Sequence, residues 1–281
     1  MVGEEMRTIF TFDLERGYQP NDISNYRKII QRLSSTYPYN YEIRQETINN
    51  THEKWIKLQD STFHGRHFEQ LNYDYRMNKF ADLYVFFEAP ELFMKEFRKR
   101  NIKYLNFMTS KIRFPNLENT IMVEGNLTLE NYFNDSELSS YIPKHEITYH
   151  NYEGKTLVLG QMYGDRSVIF DGKSHSIFDY EFQGDIYRPH PHAVLYQREY
   201  NEKQMNLAKE KGLKINPDGD IYQILHSCKK VIGISSSTLY EARLMKKEVE
   251  FLNEKDYIRD AKIYFWSQID ETFWNRIREQ I

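Results

Sequence analysis

Short apolar runs recur along this chain, separated by polar stretches with helical spacing. Arg7–Phe12 (RTIFTF) is β-branched and aromatic and predicts a first strand. Asn21–Leu33 places Ile23, Tyr26, Ile29, Ile30 and Leu33 at the intervals of one helix face. Asp82–Phe87 (DLYVFF) predicts a buried strand. Pro90 then opens a helix to about Arg100, because proline suits a first helical turn. Lys103–Met108 predicts another strand and Thr120–Val123 a weaker one. A helix ends at Ser139–Pro143, and the texture changes near 140–155. Beyond it, strands are predicted at Lys155–Gly160 (KTLVLG), Asp185–Arg188, Lys230–Ile234 (KVIGI) and Glu248–Leu252. Helices are predicted around Tyr222–Leu225, Thr238–Met245 and Ile269–Ile281. Such alternation implies βαβ units and parallel sheets. Two blocks of it predict an α/β protein with two Rossmann-like domains and a cleft between them, spanning 1–150 and 151–281. The length of 281 residues agrees, at roughly 150 residues per domain.

Composition narrows the function. The chain has 38 basic and 41 acidic residues, a net charge of −3, which argues against a generic nucleic-acid binder. A single cysteine, Cys228, excludes an internal disulfide framework and a cysteine-rich zinc site. The first residues are polar and acidic, and no window reaches the roughly 18 apolar residues of a spanning helix. With a mean hydropathy of −0.75, this predicts a soluble, cytoplasmic protein, with peripheral attachment to the inner face of a membrane left open. Tyr (22) and Phe (18) are abundant while Gly (12) and Pro (8) are scarce, so a phosphate site here has to rely on side chains more than on a glycine-rich loop.

In open α/β sheets, ligands bind beyond the C-terminal ends of the strands. Three polar clusters of the second half fall there. The first, Gln161 to Ser167, follows the KTLVLG run and carries Asp165, a carboxylate able to act as nucleophile, base or orienting group, although Asp beside Gly164 is also ordinary turn composition. The second is Arg188-Pro189-His190-Pro191-His192, in which two prolines hold His190 extended at a strand end; a proline-rich turn with exposed histidines has the same composition. The third is Ser235-Ser236-Ser237 followed by Glu241. A serine run between strand and helix caps the helix, and its N–H groups and hydroxyls suit an anion; capping alone accounts for one serine, not three. Glu241 is placed to meet a ribose.

Other candidates are weaker. There is no GxGxxG or P-loop motif. Asp218-Gly219-Asp220 reads as a turn, and His64 and His67 as surface residues. Glu88 and Glu91 sit just past a first-domain strand as acid/base candidates, and Arg113 follows another as a candidate for an acidic sugar. No metal or cofactor site is predicted.

Gln161-x-x-x-Asp165-x-Ser167, Arg188-Pro189-His190-Pro191 and Ser235-Ser236-x-x-x-x-Glu241-Ala242, in this order, resemble the retaining β-Kdo glycosyltransferases of bacterial capsule and lipopolysaccharide assembly. The specific match covers about residues 155–255. The resemblance implies a GT-B-type fold, with CMP-Kdo on the C-terminal domain, a terminal helix crossing back, and a glycan or glycolipid acceptor. It makes Asp165 the nucleophile, His190 a contact of the CMP phosphate, Ser235, Ser236 and Ser237 its further donors, and Glu241 the ribose ligand. Gln161, Ser167 and Arg188 complete the donor site. The His-Pro and Ser-Ser pair is shared with sialyltransferases that use CMP-sialic acid, and a non-catalytic nucleotide-sugar-binding protein is a third reading. The family's aromatic–glycine step before Glu-Ala is here Leu239-Tyr240, and the resemblance does not choose an acid/base residue in the first half, where Glu88 and Glu91 stand as candidates.

Overall fold

The computed structural model describes residues 6–13, 20–46, 74, 77–89, 91–117, 119–130, 133–144, 149–170 and 172–281. The readings made for the first residues, Pro90, His64 and His67 lie outside them. The elements of the first half are β1 (Thr8–Asp13), α1 (Pro20–Ser35), β2 (Glu42–Glu46), β3 (Leu83–Phe87), α2 (Glu91–Arg100), β4 (Tyr104–Thr109), β5 (Thr120–Gly125) and α3 (Asp135–Ser139). The second half adds β6 (Thr156–Leu159), β7 (Ile169–Phe170), β8 (Lys173–Ser174), β9 (Ile186–Arg188), α4 (Pro191–Tyr196), α5 (Arg198–Glu210), β10 (Lys214–Ile215) and α6 (Ile221–Ser227). It ends with β11 (Lys230–Gly233), α7 (Ser237–Leu244), β12 (Glu248–Phe251), α8 (Asp256–Asp260), β13 (Lys262–Phe265) and α9 (Glu271–Arg278). Two compact units result: Met1–Ser110 with Asn119–Tyr132 and Asp260–Ile281, and Lys111–Glu118 with Phe133–Arg259. The sequence reading divides the chain once, at 150; the units divide it at 110, 118, 132 and 259.

The first unit is a sheet ordered β13-β5-β4-β3-β1-β2. The pairs among β1 to β4 are parallel, whereas β5 pairs antiparallel with both β4 and β13. The apolar run of β3 is buried on both faces because side chains alternate along a strand. Leu83, Val85 and Phe87 join Phe10, Leu105 and Phe107 in one core layer. Tyr84 and Phe86 join Ile9, Phe93, Phe97 and Tyr104 in the other. Helix α9 belongs to the first layer: Trp274 is fully buried, 5.8 Å from the Phe10 ring, 5.1 Å from Tyr37 and 6.1 Å from Phe107. Its indole N–H donates to Thr36 Oγ1 at 3.0 Å. Much of the aromatic excess is this packing of ring edges onto ring faces, each pair adding about 0.5–1.5 kcal/mol beyond area burial.

The second unit is an all-parallel sheet ordered β10-β9-β6-β11-β12. In the unit's own chain order this is 3-2-1-4-5, the doubly wound arrangement in which the winding reverses between the first and fourth strands, here β6 and β11. Gly160 follows β6 because nothing larger fits: a Cβ there would lie 2.5 Å from the Tyr187 hydroxyl and 3.1 Å from the Arg188 carbonyl oxygen. Helix α5, the polar strand β2, and the short strands β10 and β13 are elements the apolar pattern does not announce. Among the described residues no helix is long and apolar enough to cross a membrane.

Replacing Trp274 by alanine is expected to cost about 3–5 kcal/mol, the range for a fully buried aromatic. Urea unfolding of the parent and variant measures it, and a loss under about 1 kcal/mol would show that α9 contributes little to this core.

Candidate functional site

The winding reversal leaves the C-terminal ends of β6 and β11 side by side, and one side chain joins them. Gln161 Oε1 accepts the Ser235 N–H at 3.3 Å, while Gln161 Nε2 donates to the Ser235 carbonyl at 3.2 Å. The same Nε2 lies 3.2 Å from Ser167 Oγ. Gln161, expected on the donor, thus engages the protein's own backbone and fixes the two loops that carry the other candidates. Ser235 is buried, and its hydroxyl accepts the Lys255 N–H at 3.3 Å.

The loop beyond Gln161 is held from its far side as well. Tyr163 N–H donates to Gln197 Oε1 and Gln197 Nε2 donates to the Tyr163 carbonyl, both at 2.9 Å. Gly164 has φ +76°, a left-handed conformation that glycine adopts without strain, and its N–H donates to Ser174 Oγ at 2.8 Å. Asp165 caps a 3-10 turn over Arg166–Val168 by accepting the Ser167 N–H at 2.8 Å. Its residue is exposed, so a carboxylate stands in a loop fixed at both ends.

His190 caps α4, with Pro191 in the first helical turn. Its Nδ1 accepts the His192 N–H at 3.2 Å. A nitrogen accepting a hydrogen bond carries no proton, so this geometry assigns the neutral ring's proton to Nε2, which is left to donate. Burial pulls the imidazole pKa down to about 4; the Asp165 carboxylate opposes the shift, and His192 and Arg113 add to it. His190 is therefore a neutral donor near pH 7, within electrostatic reach of Asp165 and Arg113.

Ser236 caps α7, accepting the Thr238 N–H at 3.3 Å, and Leu239 N–H reaches the Ser236 carbonyl at 3.0 Å. The N–H of Ser237, first in the helix, finds no acceptor among the described residues, and the helix dipole adds partial positive charge there. Glu241 is 3% exposed, and its Oε1 accepts the backbone N–H of Arg113 at 2.7 Å, with the Tyr222 hydroxyl at 3.3 Å. Burial pushes its carboxyl up to about 7, against the opposing pulls of the Arg113 N–H, the Tyr222 hydroxyl and the Arg113 charge.

Arg188, expected as a donor ligand, spends its guanidinium on the carbonyls of Asp218 and Gly219, both at 2.7 Å, and so holds the turn that leads into α6. Arg113, read as a first-domain residue, lies in the segment Lys111–Glu118 that groups with the second unit. Glu88 and Glu91 stay with the first unit. Glu88 has φ +50° at the end of β3, and its carboxylate accepts Thr109 Oγ1 at 2.8 Å; Glu91 lies 4.0 Å from Lys95 one helical turn on. The second unit thus brings together Gln161, Asp165, Ser167, His190, the serines, Glu241 and, unexpectedly, Arg113. Sequence reasoning missed Gln197 and Tyr222 as site-forming residues, since a lone glutamine between two helices or a lone tyrosine on one carries no spacing signal. Among the described residues no group of three or more His, Cys, Asp or Glu is placed to hold a metal ion.

Strand order and site together define an α/β protein with two open sheets, one of them bearing a polar, anion-suited edge at its winding reversal. No protein-family model and no curated protein matches the chain. Among solved structures it is similar to KpsC of Thermosulfurimonas dismutans, a beta Kdo 2,7 transferase, at 13% identity over 86% of this chain and 77% of that one, with a TM-score of 0.43. It is also similar to the glycosyltransferase SnogD from Streptomyces nogalater, at 9% identity over 99% and 96%, with a TM-score of 0.24. At these values neither likeness bears on what the chain does.

The two shifted groups predict opposing pH effects. His190 has a folded pKa of about 4 against an ordinary 6.5, so the unfolded chain binds its proton first, and the contribution to stability is lost as pH falls from 6.5 through 4. Glu241 has a folded pKa of about 7 against an ordinary 4.5, so its contribution is full below 4.5 and lost as pH rises through 7. Relative to the parent, Glu241→Gln is expected to gain stability with rising pH in this window, and His190→Gln to lose it. Urea midpoints across the window test this; parallel profiles in all three proteins would refute both shifts.

Proposed function

We propose that the chain is a glycosyltransferase of GT-B type that moves Kdo from CMP-Kdo to a bacterial surface-glycan or glycolipid acceptor, with retention of anomeric configuration. The observation that carries the reading is the gathering of Asp165, His190 and the N-terminus of α7 at the winding reversal of one parallel sheet. An exposed carboxylate beside neutral and partly positive donors suits a reaction in which an anionic phosphate departs from a carbon under attack.

In this reading Asp165 attacks the anomeric carbon. A carbon–oxygen bond to the carboxylate forms, the bond to the CMP phosphate breaks, and CMP leaves with the electron pair. An acceptor hydroxyl then displaces the carboxylate and releases its proton to solvent, so two inversions give net retention. His190 Nε2–H and the Ser236 and Ser237 groups meet charge developing on the phosphate, and Glu241 holds the ribose through the oxygen not engaged with Arg113. Ser167, Gln161 and Arg188 shape the donor site from behind. The leaving group's charge is assigned to protein donors, with no metal in the step. The setting proposed is the cytoplasm, at the inner face of the membrane where such acceptors are assembled.

The test is incubation with CMP-Kdo and, separately, CMP-sialic acid, following CMP release and the intact protein mass. CMP-Kdo is expected to give CMP and an adduct of the sugar's mass on the parent chain, absent from Asp165→Ala, which still binds CMP. Near-parental transfer by Asp165→Ala would remove the nucleophile, and an adduct from CMP-sialic acid alone would change the donor. His190→Ala is expected to weaken CMP binding and to slow turnover by about 10²–10³, the usual cost of losing one preorganised donor. An unchanged CMP titration in that variant would take His190 out of the phosphate site.

A further inference from the structure

Gln197 stands where α4 ends and α5 begins, capping the end of one helix and the start of the other. A polar residue at a helix start commonly turns its side chain back onto that helix, but the Gln197 amide makes no such bond. It reaches 34 residues back along the chain, to the peptide groups of Tyr163. Its Oε1 accepts the Tyr163 N–H and its Nε2 donates to the Tyr163 carbonyl, both at 2.9 Å. A carboxamide presents one acceptor and one donor edge, so this double contact fixes direction as well as distance. Tyr163 is held on α5 through its ring too, 5.6 Å from that of Tyr200. Helix α5 is itself anchored, because Ala208 is fully buried in one core cluster with Val158 and Tyr187.

The contact closes a ring. At the sheet, the Gly160 N–H donates to the Arg188 carbonyl at 2.8 Å, continuing the register of β6 with β9. From there the chain forms two arms. One runs from Gly160 through Gln161 to Tyr163. The other runs from Arg188 through His190 and α4 to Gln197. That second arm is regular: the Val194 N–H reaches the His190 carbonyl at 3.1 Å, and the Gln197 N–H reaches that of Ala193 at 3.0 Å. The arms meet again at Tyr163 and Gln197. His190 lies within one arm, and Asp165 stands two residues beyond the joint of the other. The bond from the Gly164 N–H to Ser174 ties the loop to the β7–β8 hairpin that follows it, and does not tie it to α4. The first closure follows from strand pairing. The second has no backbone register behind it and depends on one side chain.

We propose that Gln197 is a positioning residue for the nucleophile: it closes the ring that sets Asp165 in register with His190. In a displacement the attacking oxygen and the leaving phosphate lie on opposite sides of one carbon. A group that holds their protein partners against each other therefore acts on the rate of the step, and little on affinity for the nucleotide. The inference rests on the nucleotide-sugar reading for what Asp165 attacks, while the hold on its loop does not.

The test uses the full chain and Gln197→Met, which keeps the length of the side chain and loses both hydrogen bonds. Parent and variant are compared in adduct formation from CMP-Kdo by quenched intact-mass measurement, in CMP affinity, in thermal melt, and in amide exchange at Gly164 by NMR. The Gly164 N–H is bonded to Ser174, not to Gln197, so its exchange reports movement of the loop and not loss of its own acceptor. Gln197→Met is expected to slow adduct formation by about tenfold to a hundredfold, the scale of a misplaced reacting group. CMP affinity is expected to be unchanged, and Gly164 exchange to quicken by about tenfold, the scale of two lost hydrogen bonds. Where the melt of Gln197→Met falls, Gln197→Asn, polar and one methylene shorter, is measured in its place. A parental adduct rate overturns the positioning role and leaves the nucleotide-sugar reading standing. A loss of CMP affinity as large as the loss of rate overturns the role too, since the contact then serves binding alone. Parental exchange at Gly164 overturns the hold on the loop in every case. A parent that forms no adduct overturns the nucleotide-sugar reading, and quickened exchange at Gly164 in the variant then supports the hold on the loop by itself.

Discussion

The site depends on a single break in regularity, the reversal of winding between β6 and β11. On either side of that line the crossover helices leave toward opposite faces, so neither chain covers the strand ends. The peptide groups there lose the neighbours that a further strand would supply, and buried backbone groups have to be paired. Gln161 supplies the pairing: its amide meets Ser235 as another strand's peptide would, one donor against one acceptor in each direction. The loop of Asp165 begins directly beyond one end of this bridge, and the capped start of α7 directly beyond the other. Gly160, where a Cβ would strike the Tyr187 hydroxyl, precedes the first of them.

Around that bridge, burial decides the charge states. The imidazole of His190 is kept neutral by desolvation, and the carboxyl of Glu241 is shifted toward neutrality by the same cause. A chain with nearly balanced charges thus sets a neutral imidazole near the start of a helix at this edge. Donors fixed before the ligand arrives need no reorganisation when charge develops, which is the economy of a preorganised site.

The sequence made the architecture legible wherever burial was two-sided. DLYVFF and KVIGI read as strands because a central parallel strand is apolar on both faces, and β3 and β11 stand there. The polar strand β2 and the two-residue strand β10 lie at sheet edges, where one side is open and no apolar run is needed. The single boundary drawn at 150 was a reading of texture along the chain, and texture cannot report that a segment between two strands of one sheet packs with the other unit. The site was legible as far as residue type and strand-end position go, at Asp165, His190 and the serine run. What each polar group touches depended on distant partners: Arg188 reaches the carbonyls of Asp218 and Gly219, and Gln161 reaches Ser235, 74 residues on. Tyr222 and Gln197 do their work through one hydroxyl and one amide, which leave no periodic trace.

The path of the chain between units has a practical consequence for anyone dividing the protein. Because Lys111–Glu118 belongs to one unit while the residues on both sides belong to the other, and Asp260–Ile281 rejoins the first, neither unit is a continuous stretch of polypeptide. A gene cut once, at any codon, divides the first unit, and a cut between Lys111 and Arg259 divides the second as well. Cut at 150, the leading fragment lacks β13 and the Trp274 that fills its core, and the trailing one lacks Arg113 and the peptide that Glu241 and Tyr222 grip.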